Sequence, residues 1–287
     1  MRSTFIKLYI IITIASLWPI SVNGAVEAKN APPWFDTGTF PTLIISIISI
    51  LVVLIVIDMA RRGKKFTIRE IAGLKAIEEA VGRATEMGAP MLFTPGYGSD
   101  IQRPTTIASM NILSTVAEKA AEYDCRLIYP THDPVIMAVA QEVVKEGCIK
   151  AGYPERFHGD DIFYISSSQF GYAAAVDGLI SRSRPASIFL LGTFEAESLI
   201  MAETGNNVGA IQIAGTDSTI QLAFFIVACD YTLVGEELFA ASGYLTKNQA
   251  ILSSVKAQDV MKIIIAVFVI VAVIWVTIDP LSSWWKY

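Results

Sequence analysis

An uncharged run of 21 residues, from Thr37 to Ile57, constrains this chain more than any other feature of its sequence. A helix needs about 20 apolar residues to cross a bilayer core of about 30 Å. Four basic residues follow within 61–65, and the positive-inside rule then places the chain from Arg61 onward inside the cell. The run predicts a transmembrane helix over 37–60 that ends at a basic stop over 61–65.

A second apolar stretch runs from Val260 to Ile278 and carries one charge, Lys262, whose long stem can reach the inner interface. Trp275 lies within it and Trp284 beyond it, as interfacial aromatic residues do. It predicts a second transmembrane helix over 259–278 and a short exterior tail over 279–287. The chain is expected in the inner (cytoplasmic) membrane as a multi-pass protein, with the lipid bilayer as a partner.

The first residues are basic, then apolar from Leu8 to Ile20, then small up to Gly24. This order is typical of a signal peptide over 1–24, and an uncleaved anchor helix is the alternative. In either case a short exterior segment is expected over 25–36.

Composition excludes several classes of protein. Hydrophobic residues make up 53% of the chain and charged residues 17%, against about 45–50% and about 25% in ordinary globular chains. A wholly soluble, disordered or collagen-like protein is therefore not expected. Three cysteines are too few for a disulfide framework, lack metal-ligand spacing and fit a reducing compartment.

Residues 66–258 are long enough for one cytoplasmic α/β domain. They hold 13 lysines and arginines against 22 acidic residues, so nucleic acid is not expected as a partner. Short, continuously apolar runs alternate with Ala-rich helical stretches, which predicts a doubly wound, mostly parallel, Rossmann-like sheet of five or six strands. The predicted strands are Met91–Thr94, Leu127–Tyr129, Ile162–Ser166, Ile188–Gly192, Ala210–Ala214 and Phe224–Cys229.

Several helical stretches of the domain are apolar nearly all round, for example Tyr172–Ile180 and Leu238–Tyr244. A helix that covers one face of a sheet needs only one apolar stripe. The additional apolar surface of these helices predicts a homo-oligomer or a membrane-protein partner. Lateral packing of helices within one subunit is the alternative.

Ligands of doubly wound sheets bind outside the carboxyl ends of the strands. The loops at those ends hold polar or glycine residues, and the serine, threonine and aspartate residues among them are also of types that cap helices. The candidate ligand-binding residues are Gly96, Tyr97, Gly98, Ser99, Asp100, His132, Asp133, Ser167, Thr193, Asp217 and Ser218. No catalytic or metal-binding residue and no cofactor is assigned.

Phosphate binding is weakly supported at this edge. The Gly96-Tyr97-Gly98 turn lacks the third glycine of a dinucleotide fingerprint, since position 101 is Ile. Glu195 and Glu197 would repel an anionic ligand. His132 lies beside Asp133 and could serve as a general base. The alternative is that His132 is a surface residue at the start of a helix.

Four segments resemble a family of uncharacterised bacterial membrane proteins, in which two membrane anchors flank a cytoplasmic α/β domain. They are the residues 92–100, 129–134, 191–197 and 215–221, which read LFTPGYGSD, YPTHDP, LGTFEAE and GTDSTIQ. The resemblance implies no assigned reaction, so it carries over no functional residues.

Two functions from different classes remain open. The first is a membrane-anchored protein of unknown activity whose domain self-associates or docks a partner, which the missing catalytic set favours over an enzyme. The second is a membrane-tethered Rossmann-like domain that binds or converts a small ligand.

Overall fold

The computed structural model describes residues 40–61, 72–246 and 248–278. The chain divides into two compact units, residues 1–50 and 51–287, and the second holds the sheet. The predicted signal peptide over 1–24, the exterior segments over 25–36 and 279–287 and most of the basic stop lie outside the described residues.

Helices and strands alternate from Ala72 to Leu245. The helices are α1 (Phe40–Arg61), α2 (Ala72–Met87), α3 (Pro104–Glu122), α4 (Pro134–Ala151), α5 (Gln169–Ser183), α6 (Glu197–Asn207), α7 (Thr219–Ala228), α8 (Glu236–Leu245) and α9 (Gln249–Ile278). The strands are β1 (Met91–Thr94), β2 (Leu127–Thr131), β3 (Ile162–Tyr164), β4 (Ser187–Leu191), β5 (Ile211–Thr216) and β6 (Tyr231–Val234).

The six strands form one parallel sheet in the order β3-β2-β1-β4-β5-β6. Every residue of β1, β2, β4 and β5 is buried, as continuous apolar runs require when helices cover both faces of a sheet. The order reverses between β1 and β4, so the loops after these two strands leave the sheet toward opposite faces. This is the topological switch point of a doubly wound sheet.

Two apolar layers enclose the sheet. Residues of α2, α3, α4 and α8 pack on one face around Phe93, Tyr129 and Phe189. Residues of α5, α6 and α7 pack on the other face around Leu92 and Leu190. The alternation of side chains along each strand thus sends neighbouring residues into opposite layers.

The sixth predicted strand is wrong. Phe224–Cys229 lies in and directly after helix α7, and the true sixth strand is Tyr231–Val234. Apolarity alone does not separate a short buried strand from a helix that packs on a sheet. Asp230 consequently precedes β6 and accepts a hydrogen bond from the backbone N of Gln212 at 2.8 Å.

The transmembrane part of the predicted fold class is also wrong. Among residues 40–61, 72–246 and 248–278, no helix combines the length and the hydropathy that a membrane crossing requires. The prediction that residues 37–60 and 259–278 cross a membrane is therefore wrong, and so is the predicted multi-pass membrane localisation.

The sequence pattern misled because an uncharged run shows composition and not where a helix begins or what it contacts. The first run starts at Thr37, outside the described residues. The second belongs to α9, which begins at Gln249 and has buried side chains at Leu252 and Val255. Lys262 forms an ion pair with Glu236 of α8.

Helices α3 and α4 approach each other closely at Gly147. A Cβ at this position would lie 2.9 Å from the Cβ of Ala117 and 3.1 Å from the backbone N of Glu118. Gly82 in the interior of α2 has open space where its Cβ would be. The two glycines form a matched pair, because both lie in helix interiors.

We expect Gly147→Ala to destabilise the protein by about 1–3 kcal/mol, because the added methyl overpacks two helix backbones. Gly82→Ala should instead stabilise it by about 0.5–1 kcal/mol, through helix propensity alone. Denaturant unfolding of both variants measures the difference. Equal effects of the two substitutions would contradict the close packing at Gly147.

Candidate functional site

The loops after β1 and β4 are packed against each other at the switch point. Gly96 has a φ of +81°, and a Cβ there would lie 2.5 Å from the carbonyl O of Thr193 and 2.8 Å from the Phe194 ring. A Cβ on Gly98 would lie 2.9 Å from Cγ2 of Thr193. Glycine is required at position 96 both for its left-handed backbone and for this close approach.

The carboxylate of Glu197 joins three elements at this point. Its side chain begins α6 and is 1% exposed. Oε1 accepts hydrogen bonds from the backbone N of Tyr97 at 2.8 Å and of Glu195 at 3.0 Å. Oε2 accepts from Nε2 of Gln169, the first residue of α5, at 3.1 Å. One buried carboxylate therefore holds the β1 loop, the β4 loop and the start of α5.

Three rings lie beside this carboxylate. The ring of Tyr97 lies 4.9 Å from that of His132 and 6.4 Å from that of Tyr172, and His132 and Tyr172 are 5.8 Å apart. The Tyr97 hydroxyl donates to the carbonyl O of Ser167 at 2.9 Å. The buried Tyr172 hydroxyl is hydrogen-bonded to Thr94 Oγ1, so the loops after β1, β2 and β3 meet at the rings.

His132 is half-buried and lies in an acidic environment. Burial lowers the pKa of His132, and this effect outweighs the opposing charges of Asp133, Glu197, Glu195 and Asp100, in that order. Its Nδ1 atom is buried and has no hydrogen-bond partner within the protein. The imidazole is therefore held neutral among carboxylates, with one ring nitrogen unsatisfied.

The hydroxyl side chains of the site hold its loops in place. Ser99 Oγ donates to the carbonyl O of Pro95 and accepts from the backbone N of Thr193 at 3.2 Å. Thr193 Oγ1 is hydrogen-bonded to Thr105 Oγ1 at 2.6 Å. Ser99 and Thr193 thus have partners within the protein that explain their polarity without a ligand.

The remaining predicted residues are Asp133, Asp100, Asp217 and Ser218. Asp133 caps α4 and accepts from the backbone N of Val135 at 2.6 Å and of Ile136 at 3.1 Å. Asp100 is exposed and accepts from the backbone N of Gln102 at 2.9 Å. Asp217 is exposed and Ser218 half-buried after β5. The structure thus joins Gly96, Tyr97, Gly98, Ser99, His132, Ser167 and Thr193, and their binding of a ligand stays a prediction.

Sequence reasoning did not select Glu197, Gln169 or Tyr172 for the site. Glu197 was treated as a repulsive charge, although its place in the first turn after a strand is where a helix dipole favours a carboxylate. Tyr172 was assigned to an apolar helix, although a buried tyrosine hydroxyl needs a partner. Gln169 gave no signal beyond its place directly after the β3 loop.

A cavity of about 440 Å³ lies at the opposite, amino-terminal edge of the sheet. Four of its charged side chains form two ion pairs: Arg126 with Asp161 at 2.5 Å and Arg156 with Asp124 at 3.2 Å. His158 also lines this cavity. Within the described part of the chain, no group of three or more His, Cys, Asp or Glu residues is arranged to hold a metal ion.

The three cysteines are free thiols. Cys229 follows α7 and does not lie in a strand as predicted. Burial raises the pKa of the Cys229 thiol to about 12, and burial also raises the pKa of Cys148. Thiols in this state are poor nucleophiles at neutral pH.

The fold and the site together define a doubly wound α/β domain with an acidic, aromatic cluster at its switch point. The chain belongs to the family described as Domain of unknown function (DUF6754), whose model matches residues 30–285. Membership confirms the resemblance to an uncharacterised family, although neither a bacterial origin nor membrane anchors are shown. No curated protein and no solved structure matches the chain.

Stability should depend on pH through His132. Because the pKa of His132 lies below its ordinary value of 6.5 in the folded chain, the unfolded chain binds this proton more readily. The stability that the neutral imidazole contributes is present above about pH 6.5 and is lost as the pH falls below it. Between about pH 7.5 and 5.5, the melting temperature of the wild type should therefore fall further than that of His132→Asn.

The control is His158→Asn, because His158 is exposed and lies at the other edge of the sheet. Its melting temperature should follow that of the wild type across the same range. If His132→Asn followed the wild type as closely, the account of a buried neutral imidazole would be refuted.

Proposed function

We propose that this protein binds a small organic molecule at the carboxyl edge of its sheet, and that the ligand is neutral or cationic and not a nucleotide. The observation that carries the proposal is the environment of His132, a ring nitrogen without a partner beside two tyrosine rings and four carboxylates. Polar groups from successive loops converge here at the usual binding position of doubly wound sheets.

The charge of the site favours a cation over an anion. Every charged group that acts on the pKa of His132 is a carboxylate, and Glu195 and Asp100 among them are exposed. A phosphate beside them would be repelled, whereas an ammonium group would be attracted. The missing third glycine of the dinucleotide fingerprint supports the same conclusion.

The three rings suit a cationic or flat ligand. Aromatic faces bind ammonium groups through the ring quadrupole, with estimates of about 0.5–2 kcal/mol for each contact. His132 is half-buried, so the exposed part of its ring can contact a ligand beside the Tyr97 ring. No reaction is proposed, because the site lacks a recognisable nucleophile beside a base.

Thermal unfolding of the full-length chain tests this proposal against a panel of amines, quaternary ammonium compounds, neutral metabolites and nucleotides. A ligand at 100 times its dissociation constant should add about 2.7 kcal/mol of stability. Asp100→Ala and His132→Ala should reduce the shift, and Asp217→Ala tests whether the β5 loop contributes. His158→Ala serves as the control and should leave the shift unchanged.

Stabilisation by nucleotides alone, or a ligand shift that His132→Ala and Asp100→Ala leave intact, would refute the proposed site. The cap residue Asp133 offers a further comparison. Asp133→Ala should lower stability by about 0.5–2 kcal/mol without ligand, because it removes two hydrogen bonds from the start of α4.

A second candidate function is self-association through helix α7. Ile220, Phe224 and Val227 form one stripe at helical spacing, and they are 70%, 37% and 88% exposed. Residues 219–228 carry no charge, so two copies could pair these stripes without opposing like charges. Solitary exposed apolar residues are ordinary on a surface, whereas a stripe of this kind is typical of an interface.

Val227→Glu tests this candidate, because the side chain is nearly fully exposed and its change leaves the core intact. Light scattering of the full-length chain should show a lower mass for this variant than for the wild type. Val135→Glu on α4 is the control, since Val135 is 56% exposed and lies at the start of another helix. A strictly monomeric wild type, or an equal effect of both variants, would refute self-association through α7.

A further inference from the structure

We infer that Glu197 determines the charge of the ligand, because its carboxylate occupies the position that an anionic group of a ligand would take. The inference deepens the proposed function and rests on it for the identity of the site. It depends on the hydrogen bonds that converge on Glu197 and on its burial.

In doubly wound sheets, the loop after β1 and a helix N-terminus at the switch point offer backbone N–H groups to an anionic ligand. Here the N–H groups of Tyr97 and Glu195 converge on a single oxygen, Oε1 of Glu197, at 2.8 and 3.0 Å. They come from the two loops that flank the crevice between β1 and β4. The donors that could bind an external oxyanion are therefore already satisfied by the chain itself.

The second carboxylate oxygen is also bound, since Gln169 Nε2 donates to Oε2 at 3.1 Å. The Glu197 side chain is 1% exposed, so solvent has almost no access to it. A carboxylate in the first turn of α6 also interacts favourably with the helix dipole. An external phosphate or carboxylate would have to expel this group and would then lie beside its negative charge.

This arrangement explains how a site at the switch point can exclude nucleotides and still bind other molecules. The anion position is filled from within, while the exposed carboxylates of Glu195 and Asp100 and the half-buried rings of Tyr97 and His132 stay accessible to a cation. Glu197 is thus a specificity-determining residue, which acts by holding donors that an anion would otherwise use.

Chemical rescue of Glu197→Ala in the full-length chain tests the inference. The variant should melt on the order of 5 °C below the wild type, because two buried N–H groups lose their acceptor. Sodium acetate should restore part of this loss, whereas sodium chloride of equal concentration should not. Inorganic phosphate should likewise stabilise the variant more than the wild type, whose shift reports only the general stabilisation that phosphate gives folded proteins.

Glu195→Ala is the matched control, because Glu195 is an exposed neighbour whose removal changes the net charge equally. It should melt close to the wild type and show no acetate-specific effect. Equal stabilisation of Glu197→Ala by acetate and chloride would overturn the inference, as would equal stabilisation of Glu197→Ala and the wild type by phosphate.

A pair of isosteric variants keeps the test decisive if Glu197→Ala does not fold. Glu197→Gln retains an acceptor oxygen but lacks the charge, so it should melt lower than Glu195→Gln although both remove one negative charge. Equal melting temperatures for the two variants would overturn the inference. Rescue needs no physiological ligand, so acetate rescue without any hit in the ligand panel would refute the proposed function and leave the role of Glu197 standing.

Discussion

The buried carboxylate of Glu197 is the interaction on which the switch point depends. It accepts hydrogen bonds from the loops after β1 and β4 and from the first residue of α5, so three segments distant in sequence share one acceptor. A buried carboxylate is costly unless its oxygens are hydrogen-bonded, and here each oxygen is. Removing it would leave the β1 loop and the β4 loop with unsatisfied donors at the same place.

The rest of the site follows from the parallel sheet and from this contact. The sheet order places β1 between β2 and β4, so the loop that carries Tyr97 lies between the loops that carry His132 and Glu197. Gly96 allows the β1 loop to approach the β4 loop, and the Tyr97 ring then reaches His132. Acidic charge and aromatic faces are thereby combined at an edge where many related folds bind phosphate.

The parallel α/β sheet could be predicted because continuous apolar runs separated by helical stretches have few other solutions. The sixth strand could not, since Phe224–Cys229 is as apolar as a strand and forms a helix that packs on the sheet. Uncharged runs likewise predicted membrane spans, whereas no helix among the described residues has the length and hydropathy that a membrane crossing requires.

Part of the candidate site could be predicted from the parallel sheet. The carboxyl ends of parallel strands meet at one edge, which located Gly96, His132 and Thr193 without knowledge of the strand order. The role of Glu197 required that order, because its partners lie on loops that become neighbours only when β1 pairs with β4. Amide hydrogen exchange at Tyr97 and Glu195 in the wild type tests this central claim most directly: the account predicts protection far above that of exposed loop amides, and exchange at exposed-loop rates would contradict it.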